Sequence, residues 1–225
     1  FSHGLALRAT YTFSKALDTG TDFSNTGTRT SIAQVEELGV MDLKARSRFD
    51  APQSFLLGYS YVLPGWLGGL TLSGATILRD GTPFNVEIGT DSPPFGNVDG
   101  ERNDRPSLLI PSLLGASVDH PDTAQQVLRR EAFDMSAPFR ELRGNLSRAS
   151  FRKDGTTNFN LAISRSFRVS SDQSQTVQLR LEFINAFNHP QFSPPTSNLT
   201  DPNFGQITNT LNAGRSIQIA LKYSF

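Results

Sequence analysis

The stretch "GRSIQIALKYSF" (214–225) sets Ile217, Ile219, Leu221, Tyr223 and Phe225 at every second position. Gln218, Ala220, Lys222 and Ser224, all small or polar, stand between them. A period of two marks a half-buried β-strand, because successive side chains leave a strand on opposite faces. The row closes on two aromatics, the second at the last residue.

The same pattern recurs upstream. In "GLALRATYTF" (4–13), Leu5, Leu7, Ala9, Tyr11 and Phe13 share a face, opposed by Ala6, Arg8, Thr10 and Thr12. "SFLLGYSYVL" (54–63) aligns Phe55, Leu57, Tyr59, Tyr61 and Leu63. "LTLSGATIL" (70–78) aligns Leu70, Leu72, Thr76 and Leu78, and Phe84, Val86 and Ile88 continue its even parity. "TNFNLAISRSF" (157–167) aligns Phe159, Leu161, Ile163 and Phe167, and "TVQLRLEF" (176–183) aligns Val177, Leu179, Leu181 and Phe183. Segments of roughly 9–11 alternating residues have the length of a tilted strand crossing a bilayer.

The connections alternate as well. "PGWLGG" (64–69) and "RVSSDQS" (168–174) are short, whereas 14–53, 89–155 and 188–213 are long, polar and rich in Gly, Pro, Asn and Asp. Short turns at one end and long loops at the other describe an outer-membrane β-barrel with extracellular loops. Trp66 falls in a short turn, as a girdle aromatic would. Arg165 lies on the outward row near a turn, from which it can snorkel to the headgroups. The competing fold is a secreted soluble β-sandwich that binds carbohydrate, which also alternates but connects its strands by shorter loops.

Composition narrows the functions. Among 225 residues, 21 basic and 21 acidic side chains give a net charge of +0, unlike the basic surface of a nucleic-acid binder. Cysteine is absent, so there is no disulfide framework, thiol nucleophile or thiolate metal site. No apolar run reaches the ~20 residues of a membrane helix. The first residue already lies at a patterned segment, so a piece of a longer chain without a signal peptide is expected.

Seven strings occur in order: "YTFSKALD" (11–18), "SRFDAPQSF" (47–55), "DGTPF" (80–84), "NDRP" (103–106), "RLEFINAFNHPQF" (180–192), "FGQI" (204–207) and "RSIQIALKYSF" (215–225). Together they resemble the C-terminal barrel region of Oar-like TonB-dependent outer-membrane receptors and transporters, over essentially the whole chain. Gln53 stands where the family suggests His, Arg165 where it suggests Lys, and "SRASFRKDG" (147–155) is less rich in Gly and Pro than is usual. The resemblance implies a barrel of about 22 strands, with residues 1–225 as its C-terminal part. The plug and N-terminal domains, with their link to the TonB complex, would lie outside this chain. It further implies that Phe225 is the mark read by the barrel assembly machinery, and that a scarce nutrient or oligomer is imported. An adhesion- or secretion-linked barrel without import is the alternative that keeps the fold.

No catalytic constellation is present, so no enzyme is expected. His3, His120 and His189 are scattered, and neither a G-x-S-x-G elbow nor an H-E-x-x-H pair occurs. The alternation turns Arg8, Arg180, Glu182 and Lys222 toward the lumen as candidates to meet a ligand, with Arg180 and Glu182 equally placed for an ion pair. No cofactor is expected beyond a weak calcium candidate in "GNVDGERNDRP" (96–106). Asn97, Asp99, Glu101, Asn103 and Asp104 supply oxygens, but Phe95 occupies a position that an EF-hand-like loop fills with an acid. "TAQQVLRREAFD" (123–134) reads as a short packing helix inside the long loop.

Overall fold

The computed structural model describes residues 3–19, 43–90, 104–136, 144–169 and 175–225. Its main feature is one antiparallel sheet of six strands in sequence order: β1 (Leu5–Phe13), β2 (Gln53–Val62), β3 (Leu70–Arg79), β4 (Thr156–Arg168), β5 (Thr176–Ile184) and β6 (Ser216–Ser224). Each of the six alternating segments forms a strand, with ends within two residues of those expected. Register carries the alternation across the whole sheet. Leu5, Tyr61, Leu72, Ile163, Leu181 and Ile219 lie side by side on one face. One residue along, Ala6, Ser60, Ser73, Ala162, Glu182 and Gln218 form the matching row on the other. A slip of one residue in any pair would mix the two rows, so the apolar pattern itself specifies register.

The apolar face is left open. Leu7 is 63% exposed, Ile219 75% and Leu221 72%, and among the described residues no second sheet packs on them. The other sheets are pieces of two or three residues in the long connections. A soluble sandwich would press a second sheet about 10 Å away onto this face. No such sheet is present among the described residues.

All three long connections leave one end of the sheet, and the short turns leave the other. At the turn end, the Leu63 N–H donates to the Leu70 carbonyl (2.9 Å) around a 3-10 turn at Gly65–Leu67, with Gly65 at φ 71° and Gly69 at φ 85°. At the other end, the long connections are not simply polar loops. Phe84, Val86, Leu108, Val118, Leu128, Phe133, Leu146, Phe151, Leu199 and Phe204 pack into a core, with Phe151 and Leu199 fully buried. Phe133 meets Phe151 and Phe204 edge-on at 6.1 and 5.5 Å. We call this packed unit the cap. It corrects one expectation: β3 stops at Arg79, and Phe84, Val86 and Ile88 are buried in the cap instead of extending the strand. Pro83 and Gly81 end the strand pattern, since Pro cannot donate to a sheet ladder. The helix expected over 123–134 is shorter and starts earlier: it spans Pro121–Val127 and buries Ala124 and Val127, while Arg130–Ala132 form a 3-10 turn and Phe133–Asp134 a short strand.

Candidate functional site

Parts of the strings that carry the resemblance turn the chain between sheet and cap. In "FINAFNHP", Asn185 and Asn188 take left-handed backbone at φ 53° and 54°, a conformation that Asn tolerates well. The Asn185 side chain accepts from the His189 N–H (2.9 Å) and donates back to its carbonyl (3.1 Å). Asn188 accepts from the Arg215 N–H (2.8 Å), drawing the start of β6 toward the end of β5. His189 is thus a turn residue. In "FGQI", Gly205 sits at φ 78° against the Leu128 carbonyl, where a Cβ would collide. Gln53 accepts from the Tyr11 hydroxyl (3.1 Å), so the amide serves as a hydrogen-bond acceptor at that position.

The sharpest electrostatic arrangement was not apparent in the sequence. Asp50 is buried, and its carboxylate accepts from the Ala16 N–H (2.7 Å), Arg46 (3.1 Å) and Arg152 (2.6 Å). Arg152 also donates to the carbonyls of Asp50 (3.1 Å) and Gly81 (2.8 Å). Burial alone would raise the Asp50 carboxyl, but these hydrogen bonds and the Arg152 charge outweigh it and hold it below the usual range. Two residues further on, Asp154 accepts from the Phe192 N–H (3.3 Å), and burial pushes this carboxyl up. Nearby, Arg148 bonds Asp18 (3.0 Å) and the Leu43 carbonyl. The segment 151–154 therefore touches all three long connections: Arg152 the first, Phe151 the core of the second, and Asp154 the third. The departure from the family pattern noted at "SRASFRKDG" falls on this keystone.

On the polar face of the sheet, the four lumen candidates are only partly brought together. Arg180 and Glu182 form an ion pair beside a depression of about 380 Å³ that Ser73, Ala75 and Asn160 also line. Lys222 lies opposite Gln178 one strand away. Arg8 is on β1, four strands from Arg180, or roughly 19 Å at the usual strand spacing, and does not join them. The face is also less polar than the sequence suggests, because Leu56 and Ile77 are cross-strand partners there and exposed. Of the calcium candidates, Asn97, Asp99, Glu101 and Asn103 lie outside the described residues. Asp104 is buried, with its carbonyl accepting from the Ile88 N–H (2.7 Å). Among the described residues no group of three His, Asp or Glu could hold a metal ion.

An open apolar face, a polar face behind it and loops gathered at one end are the parts of a barrel wall. Comparison with protein families agrees: a family model described as "Outer membrane beta barrel domain" matches residues 1–218. The chain belongs to that family. Neither the curated proteins nor the solved structures give a match. As an outer-membrane barrel domain, the chain resides in the outer membrane of a Gram-negative bacterium and turns its apolar row to lipid. Among the described residues no helix is long and apolar enough to cross a membrane; a domain of this barrel family crosses with strands. Arg165, the charge on the lipid-facing row, lies 5.3 Å above the Phe167 ring in the last turn-side rows of β4, as snorkelling requires. Phe225 is 92% exposed and stacks on Tyr223 at 5.9 Å.

Proposed function

We propose that this barrel domain is wall and exterior surface of an Oar-like TonB-dependent receptor that imports a scarce nutrient or oligomer and performs no catalysis. The observation that carries the reading is the sheet's division into an open lipid face and a charged inner face, surmounted by a packed cap. Leu56 and Ile77, exposed on the inner face, favour a lumen filled by protein, because apolar side chains gain nothing from a water-filled channel. Both sheet edges, β1 and β6, lack a partner strand among the described residues, and open edges are not tolerated in hydrocarbon. Further strands would complete the wall toward about 22, inserted by the barrel assembly machinery with Phe225 as its mark, and the TonB complex would act through a region outside this chain.

The rigid cap also suits the alternative, an adhesion- or secretion-linked barrel, since a folded exterior surface can serve attachment. Competitive growth on defined nutrient sources decides between them. For a receptor, deleting the gene and disabling TonB produce the same growth defect, and the double mutant is no worse. A defect in attachment or secretion that survives loss of TonB would overturn import.

A further inference from the structure

A cavity of about 320 Å³ opens where the three long connections meet. Its walls include Arg48 from the first, Phe84 and Glu87 from the second, Lys153 from the keystone segment, and Pro194 and Ser197 from the third. The walls are fixed by backbone pairing. The Glu87 N–H donates to the Ser197 carbonyl (3.0 Å), and the Glu87 carbonyl accepts from the Leu199 N–H (2.9 Å). The Glu87 carboxylate accepts from the Asn85 amide (3.0 Å), which leaves it capacity for further donors.

Lys153 differs from the other cations of the keystone. Arg46 and Arg152 are answered by Asp50, and Arg148 by Asp18. The Lys153 side chain is half-buried and, among the described residues, its ammonium has no hydrogen-bond or ion-pair partner. A half-buried ammonium without a partner is costly, and an incoming anion relieves that cost. Burial lowers the Lys153 amine from its ordinary value, against the raising effect of Asp154, as expected for a charge that has lost water without gaining a partner.

We propose that this cavity binds a small carboxylate-bearing ligand. Its carboxylate meets Lys153 and Arg48, and a hydroxyl or ammonium group at its other end meets Glu87. The volume suits a ligand of one or two sugar rings or two amino-acid residues, at the small end of ordinary ligand sites. Phe84 and Pro194 provide apolar walls. The carboxylate could come from an acidic sugar or from a short peptide. The proposal rests on the receptor reading and specifies what the receptor captures.

The test is calorimetry on the full-length protein folded in detergent micelles. Digalacturonate and alanyl-alanine are the probes, with the methyl ester of the first and the amide of the second as uncharged counterparts. At least one acid should bind tenfold or more tightly than its counterpart, and which one does so identifies the source. Lys153→Met should abolish the preference, and Lys153→Arg should restore most of it. Arg48→Met should weaken it as well. The proposal is overturned if neither acid is preferred. It is also overturned if the preference survives both methionine variants while the cap keeps its protease resistance. Binding that passes this test in a protein whose uptake does not need TonB would refute the import reading and leave the site standing.

Discussion

At Asp50 one carboxylate ties the start of the first long connection, through the Ala16 N–H, to Arg152 in the segment before β4. Its pKa is held below the ordinary value, so its contribution to stability is fully present above the usual aspartate range. That contribution is lost as pH falls through the folded-state value. Asp154 has the opposite sign: burial raises its pKa, so its charged form weighs against the fold at neutral pH and proton uptake relieves this. Two isosteric changes should therefore diverge. Asp50→Asn leaves Arg152 without its counter-charge and should destabilise the cap by about 3 kcal/mol, the low end for breaking a buried ion pair. That is on the order of a hundredfold more open cap, read as faster proteolysis of the long connections in vesicle-embedded protein. Asp154→Asn keeps an acceptor for the Phe192 N–H and should leave neutral-pH proteolysis unchanged or slower. Equal acceleration by both would refute the assigned roles. Gly74 is a further single-residue constraint, because a Cβ there would run into the Asn160 carbonyl of β4 as well as the Tyr59 ring across the β2–β3 pair.

For single elements, the strands were legible and the cap was not. Register and facing follow from rows such as Ile217, Ile219 and Leu221, because a period of two needs only local sequence. The facing gives a paired test in β6. Near the bilayer midplane, Ile219→Arg places a guanidinium in hydrocarbon, at a cost of about 2–4 kcal/mol. Ala220→Arg places it on the inner face beside Arg180, its partner across the strands, at a smaller cost. Unfolding free energies in lipid vesicles should fall further for Ile219→Arg than for Ala220→Arg, and equal losses would refute the facing. The cap escaped the sequence because its core draws single residues from distant places, Phe84, Phe133, Phe151 and Leu199 among them, with no shared period. Asp50 and Arg152 likewise stand far apart in the chain, and nothing local announces their pairing. Phe84, Val86 and Ile88 show the converse error: an accidental alternation continued a strand pattern past Pro83 into residues that pack elsewhere. Phe151→Ala should cost about 3–5 kcal/mol of cap stability by emptying the centre of that core. It should leave the heat-modifiable migration of the barrel on gels intact, and loss of that migration would mean that cap and wall fold as one unit.

For the whole molecule, the arrangement fixes sidedness. The cap should lie outside the cell and the two short turns within the periplasm. Cysteines at Ser112 and Ser117, both exposed on the cap, should react with a membrane-impermeant thiol reagent on intact cells, and one at Pro64 should react only after the outer membrane is opened. The reverse labelling would invert the barrel. Residue, strand and cap depend on one another through the keystone segment 151–154, where the three connections meet. This bears on how the protein looks to an immune system or a phage. With Arg46, Arg152 and Phe192 drawn together by Asp50 and Asp154, neighbouring points on the exterior come from stretches far apart in sequence. Antibodies raised against linear loop peptides should therefore bind whole cells poorly. Those raised against the folded protein should lose their epitope on denaturation, and phage escape mutations should fall in several connections at once.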